Sequence, residues 1–149
     1  MDKFKVNIKK LHPNAVIPFQ TYDSDYCFDC VATSCVEVAP NVYKYGLGFA
    51  LQLAEELPKG WKACFNGRAR SSIHKTGMIL SNGEGTLDLG YTGEIFMVFY
   101  HVMPTLPRYQ VGDKICQIHL ELTHDIEFVE VDELKATERA DGGYGSTGK

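Results

Sequence analysis

Three short stretches carry side chains able to act on a phosphorylated ligand. Arg70-Ser71-Ser72, with Lys75 close behind, sets a guanidinium, two hydroxyls and an ammonium within six residues. Arginine can hold two phosphate oxygens at once, and serine hydroxyls and amides fill the remaining acceptors, so the set suits a phosphate chain. The plain alternative is a capped surface helix with a solvated arginine. Gly85-Thr86-Leu87-Asp88-Leu89-Gly90-Tyr91-Thr92-Gly93-Glu94 reads as a hairpin with a carboxylate and an aromatic ring near its turn. By itself it is an ordinary hairpin in which Asp88 is a turn residue. The third stretch, Gly143 to Lys149, satisfies GxxxxGK, most of a phosphate-binding loop signature. Its context is wrong, because no strand precedes it and no Ser or Thr follows Lys149 to reach magnesium. Its glycines and hydroxyls still suit phosphate, from a flexible arm.

Composition narrows the ligand. The 149 residues carry a formal net charge of −4 and lack the broad basic face that holds nucleic acid polymers, so phosphate has to be held locally. A small phosphorylated molecule is the expected partner. Met1 to Lys10 is charged throughout, and no apolar run approaches about 18 residues, so neither a signal peptide nor a membrane span is expected. A cytoplasmic location follows. The five cysteines (Cys27, Cys30, Cys35, Cys64, Cys116) are an odd number without a secretory context and are expected as free thiols. Cys27 and Cys30 have the CxxC spacing of a zinc or redox pair, but a four-ligand zinc site needs a second pair and the sequence has none. His12, His74, His101, His119 and His124 show no shared site and read as structural or surface residues.

Strands have to position these groups. Helical periodicity is scarce, and short apolar or alternating runs recur between turn residues, as in an all-β sandwich or barrel of one domain. Candidate strands are 4–8, 30–36, 48–53, 63–67, 76–80, 95–100, 114–120 and 125–131, with turns at 58–60, 81–83 and 111–113. Tyr43 to Phe49 reads as a core strand with an aromatic edge in preference to an added contact surface. One helical turn is expected at Ser71 to Lys75, capped by serine and attractive to an anion. Residues 140–149 hold four glycines and one large apolar side chain, too little to offset the entropy of ordering, and are expected to be mobile until something binds them.

Taken in order, these pieces resemble the trimeric dUTPase family, whose five motifs run across nearly the whole chain. Motif II is matched by Arg70 to Gly77, motif III by Gly85 to Glu94, motif IV by Gly112-Asp113-Lys114-Ile115-Cys116-Gln117, and motif V by Arg139 to Gly148. Motif I is the weakest: Asp29 and Ala32 fit, while the usual Ala-Gly before the aromatic Phe28 is missing. The resemblance implies a distorted β-barrel or jelly roll (a β-clip) over residues 1–138, with one short helix and a flexible C-terminal arm at 139–149. It also implies a homotrimer whose sites are shared between subunits, the arm crossing to a neighbour.

By the same resemblance the activity is hydrolysis of dUTP to dUMP and pyrophosphate, which limits uracil in DNA and supplies dUMP for dTMP synthesis. Asp88 then deprotonates and aims a water at the α-phosphorus. Mg2+ bridges the phosphates, with Asp29 supporting its water shell. Tyr91 packs on deoxyribose and rejects a 2′-hydroxyl. Main-chain groups along Gly85, Thr86 and Leu87 to Tyr91, together with Asn82, read the uracil edge. Ser71 and the amide of Ser72 hold the α- and β-phosphates, braced by Arg70 and Gln117. In the arm, Tyr144 stacks on uracil while Arg139, Gly145, Ser146 and Thr147 close over the γ-phosphate.

The sequence departs from the family pattern in places. Gly90 replaces a second motif III aspartate, Ala69 stands where proline is common, and Ala140 where glycine is usual. Asp-x-Gly-Tyr also resembles dCTP deaminase, but that enzyme needs a glutamate about ten residues beyond the aspartate, and Val98 stands there. A nucleotide-sensing regulator on the same fold is the other alternative.

Overall fold

The computed structural model describes residues 3–148. Met1, Asp2 and the terminal Lys149 that completes the GxxxxGK pattern lie outside the described residues. The strands are β1 (Val6–Lys10), β2 (Phe28–Val31), β3 (Ser34–Ala39), β4 (Val42–Gly46), β5 (Phe49–Leu53), β6 (Trp61–Ala69), β7 (Met78–Leu80), β8 (Gly85–Asp88), β9 (Phe96–His101) and β10 (Lys114–His124). A 3-10 helix, Ser71–Lys75, lies between β6 and β7. All pairings are antiparallel. They form one sheet in the order β2-β10-β6-β8, a second in the order β3-β4-β9-β7, and the pair β1-β5. The all-β barrel-like fold with one short helix is the architecture expected from the sequence. Among the described residues no helix is long and apolar enough to cross a membrane.

Two-residue alternation builds the core. Met97 and Phe99 of β9 point inward while Phe96 and Tyr100 face out. The wholly buried side chains include Tyr45, Leu47, Phe49, Met78, Phe99, Ile115, Cys30 and Cys116. Tyr43 to Phe49 is therefore core, supplying β4 and the start of β5. Burial raises the Tyr45 phenol above its ordinary pKa, and its hydroxyl donates to the Tyr109 carbonyl at 2.7 Å.

Four expectations need correction. The run 30–36 is not one strand: at Ala32 and Thr33 the chain leaves β2, the Ala32 amide donating to Asp113 O and that of Thr33 to Gly46 O, and enters the other sheet as β3. An apolar run records burial on both sides of such a corner but not the change of sheet. The first strand lies two residues later than the run 4–8 suggests, because β5 pairs with Val6 to Lys10. No serine caps the helix. Its N-cap is Arg70 without a side-chain cap bond, which leaves both serine hydroxyls free of that task. Residues 125–131 form no strand. Asp125 is tied back by Lys62 at 2.8 Å and by its amide to Gly60 O, after which Ile126, Phe128, Val129 and Val131 are exposed. A strand needs a ladder partner and a face to bury, and one chain supplies neither there.

Gly77 joins the helix to β7. It holds φ +65°, its carbonyl receives the amides of both Val102 and Met103, and a Cβ added to it would collide with the Met103 carbonyl. Left-handed backbone alone costs a side-chain-bearing residue about 1–2 kcal/mol. Gly77→Ala is expected to destabilise the protein by at least about 2 kcal/mol, read as a lowered midpoint in denaturant unfolding. An unchanged midpoint would mean that the turn relaxes freely.

Candidate active site

The first sheet carries the chemistry on its outer face. At the end of β6, Arg70 reaches across β10 toward β2, and Asp29 meets it: Arg70 Nε lies 3.0 Å from Asp29 Oδ1, and Lys114 Nζ lies 3.2 Å from Asp29 Oδ2. Both oxygens of this carboxylate are thus spent on cations. Arg70 Nη1 also faces Ser72 Oγ and the Lys114 carbonyl, each at 3.4 Å, while the Lys114 ammonium rides 4.8 Å over the Phe19 ring. Arg70 is held by two strands and a helix before any ligand arrives.

Two cavities flank it. One, of about 530 Å³, has Asp29, Arg70, Ser71 and Gln117 in its wall, so four residues singled out from sequence converge there. Gln117 Nε2 is anchored on Ala69 O at 3.2 Å. The other, of about 440 Å³, lies toward Ser72, Lys75, Arg108 and Lys114. The cationic end of the sheet is therefore suited to a chain of phosphates. Lys114, Phe19, Tyr22 and Tyr26 also shape this end and were not singled out from sequence. Of these, only Lys114 lies inside a recognised motif.

The hairpin residues sit elsewhere. Asn82, Gly85, Thr86, Leu87, Asp88 and Tyr91 follow one another through the β7–β8 turn and along β8. Gly83 takes φ +67° in that turn, and Glu84 ties the turn to β6 by accepting from Asn66 Nδ2 at 2.6 Å and Arg68 Nε at 2.9 Å. Gly85 faces Gly67, and Met97 of the other sheet fills the space above them. Leu87 packs on the core, which turns Asp88 outward and exposes it. The Tyr91 amide closes a turn on Asp88 O at 2.9 Å, and its hydroxyl donates to Glu94 O at 2.6 Å. A Cβ on Gly93 would stand 2.7 Å from that hydroxyl, so glycine there lets the ring lie down.

Asp88 pairs with Cys64 of β6. Arg70 is six residues further along, which at about 3.3 Å per residue is roughly 20 Å away, and it leans toward β2, on the far side of the sheet from β8. Asp88 keeps company with Glu121 and Glu84: burial raises the Cys64 thiol, and these three carboxylates raise it further. Asp88 thus stands at the Cys64 end of the hairpin, while Glu84 is paired with Arg68 at the other end. Within one chain the hairpin carboxylate and the phosphate cradle do not meet.

The arm does not meet them either. Arg139, Tyr144, Gly145, Ser146 and Thr147 are exposed, Tyr144 completely. Their region bonds locally: Arg139 Nε donates to Gly142 O, and the Ser146 amide to Gly143 O. Among the described residues no group of three or more His, Cys, Asp or Glu side chains could hold a metal ion. Asp29, with both oxygens already engaged by Arg70 and Lys114, would suit only contact through water with a magnesium ion that is held elsewhere and keeps its hydration.

Comparison with known proteins gives these features a common context. The dUTPase family profile matches residues 14–148. The deoxyuridine 5′-triphosphate nucleotidohydrolase of Helicobacter pylori is 34% identical, with 97% of each chain covered. That of Wolinella succinogenes is also 34% identical, covering 100% of this chain and 97% of its own. Among solved structures, the dUTPase of Staphylococcus bacteriophage 80alpha bound to dUpNHpp superposes with a TM-score of 0.79 at 19% identity, over 97% of this chain and 99% of the phage chain. The dUTPase of phage phi11 of S. aureus, described with a structural Mg(II) ion, gives 0.69 at 18% identity, over 89% and 99%. Motif order, all-β architecture and full-length similarity agree: the chain belongs to the dUTPase family.

Proposed function

We propose that the chain is a dUTP diphosphatase that hydrolyses dUTP to dUMP and pyrophosphate in the cytoplasm, at sites shared between the copies of a homotrimer. The observation that carries the shared site is the distance of roughly 20 Å along β6 between Asp88 and Arg70. A base and the clamp on its target must act within a few Å of one phosphorus. Head-to-tail contacts that bring Asp88 of one copy to Arg70 of the next close into a ring when the rotation allows. The exposed apolar residues between Ile126 and Leu134 supply further surface for a neighbour to cover.

In this reading Asp88 takes a proton from water and aims it at the α-phosphorus, while Arg70, Ser71, Ser72 and Gln117 of an adjoining copy hold the phosphate oxygens. Asp29 keeps Arg70 and Lys114 in place. Magnesium, carried on the phosphates and supported through water by Asp29, supplies charge neutralisation for the leaving pyrophosphate. Tyr91, laid flat by Gly93, packs on deoxyribose, and Asn82 with the main chain of Gly85, Thr86 and Leu87 reads uracil. Residues 139–149 act as an arm: Tyr144 stacks on the base, and Arg139, Gly145, Ser146 and Thr147 close over the γ-phosphate and exclude bulk water. Deamination of dCTP is disfavoured, because the β9 position that would need a proton-shuttling glutamate is Val98.

Pyrophosphate release measured with magnesium for dUTP, dCTP, dTTP and UTP is expected to favour dUTP strongly; equal rates on all four would contradict the assignment. Asp88→Asn is expected to bind a non-hydrolysable dUTP analogue while its kcat falls by about a hundred-fold or more, and normal turnover would move the base elsewhere. Deleting residues 142–149 should leave the assembly mass of the shortened chain unchanged in order and remove most activity. Full turnover without them would take the arm out of the site.

A further inference from the structure

The altered part of motif I has a structural counterpart. Where Ala-Gly is usual, this chain has Tyr26-Cys27, and both side chains rest on His119 of β10. Cys27 Sγ lies 3.7 Å from His119 Nδ1, and the Tyr26 ring lies against the imidazole, tilted by 43° with centroids 4.7 Å apart. The other imidazole nitrogen, Nε2, faces Glu121 Oε2 at 3.7 Å, and that oxygen is fixed by Asn66 Nδ2 at 2.8 Å. His119 is only 4% exposed. Thiol, imidazole and carboxylate thus follow one another, with the imidazole within reach of the sulfur proton and the carboxylate facing its far side beyond hydrogen-bond distance. Cys27 also stands in the wall of the larger cavity with Asp29, Arg70 and Ser71. Its CxxC partner Cys30 is wholly buried with Cys116, so the two cysteines do not act as a pair.

We propose that Cys27 is a thiol-disulfide exchange site whose occupation closes the nucleotide cavity. This rests on the reading that the cavity binds nucleotide. The incoming reagent is a small-molecule disulfide, RSSR. Cys27 sulfur attacks one sulfur of it, its proton passing to His119 Nδ1. The S–S bond of the reagent breaks and RS⁻ leaves, taking that proton as RSH. Cys27 becomes the mixed disulfide Cys27–S–S–R: its sulfur rises by one formal oxidation state as the leaving sulfur falls by one, so no further oxidant is needed. His119 Nδ1, 3.7 Å from the sulfur, is the base within reach of its proton. An adduct there meets Arg70 in the cavity wall together with the carboxylates of Asp25 and Asp29. Cys35, 3.9 Å from Arg108 Nη1 and outside this cavity, is the natural competitor.

The full-length protein is incubated with glutathione disulfide, then mapped by peptide mass and assayed on dUTP. One adduct per chain at Cys27 is expected, with loss of activity restored by dithiothreitol and prevented by a non-hydrolysable dUTP analogue. Cys27→Ser should keep its own untreated rate during the incubation. His119→Gln, checked for folding by thermal melting, should form the adduct about a hundred-fold more slowly; if it does not fold, Glu121→Gln, at the exposed end of the cluster, is the variant to slow it. First modification at Cys35 or Cys64, or equal inactivation of Cys27→Ser, would overturn the proposal. Modification at Cys27 with no effect of the dUTP analogue would instead overturn the nucleotide reading of the cavity and leave the thiol assignment standing.

Discussion

The pairing of Asp88 with Cys64 fixes the register of β8 on β6, and the remaining functional geometry depends on it. A one-residue slip would send Asp88 into the core and bring Leu87 to the surface. Leu87 and Leu89 pack on the core cluster, and Glu84 is held by Asn66 and Arg68 at the other end of the hairpin, so the slip is opposed twice. The same register that turns Asp88 outward strands it six residues from Arg70. In the proposed assembly a correctly folded chain would therefore supply two half-sites and no whole one.

Electrostatics sets the cationic side. Asp29 collects Arg70 and Lys114 at one end of the sheet face, while Asp88 stands exposed opposite Cys64 and Glu84 is held beside Arg68. These salt bridges are partly buried, and desolvation offsets much of their attraction. Their value lies in position: Arg70 stands ready between two cavities, and a phosphate chain finds its donors already oriented. The segment after β10 tells a similar story by packing. Phe128 and Leu134 are about nine-tenths exposed, an arrangement more readily understood for a chain with neighbours than for a solitary one.

Much of this was legible in the sequence. Alternating runs marked most of the strands, Ser81-Asn82-Gly83 marked a turn, and the motif order carried the family and brought Asp29, Arg70, Ser71 and Gln117 together in advance of the structure. What was not legible is what depends on distant parts of the chain. The change of sheet at Ala32 and Thr33 requires Asp113 and Gly46 as partners, neither of which a local window contains. The run 125–131 has strand composition but no ladder to join within its own chain. His119 read as one structural histidine among five, because its contact with Cys27 spans 92 residues. The ion pairs of Asp29, 41 residues from Arg70 and further still from Lys114, likewise follow from sheet order alone.

Complementation between two inactive variants tests the divided site most directly. Asp88→Asn and Arg70→Gln proteins are mixed, unfolded, refolded together and assayed on dUTP. Sites that take Asp88 from one copy and Arg70 from the next recover about a quarter of wild-type activity in a statistical mixture of equal parts, since one ordered pairing in four carries both intact residues. Each variant refolded alone stays inactive. If the mixture also stays inactive while wild-type protein survives the same treatment, both residues serve a site within one chain, and the division of the active site between copies is wrong.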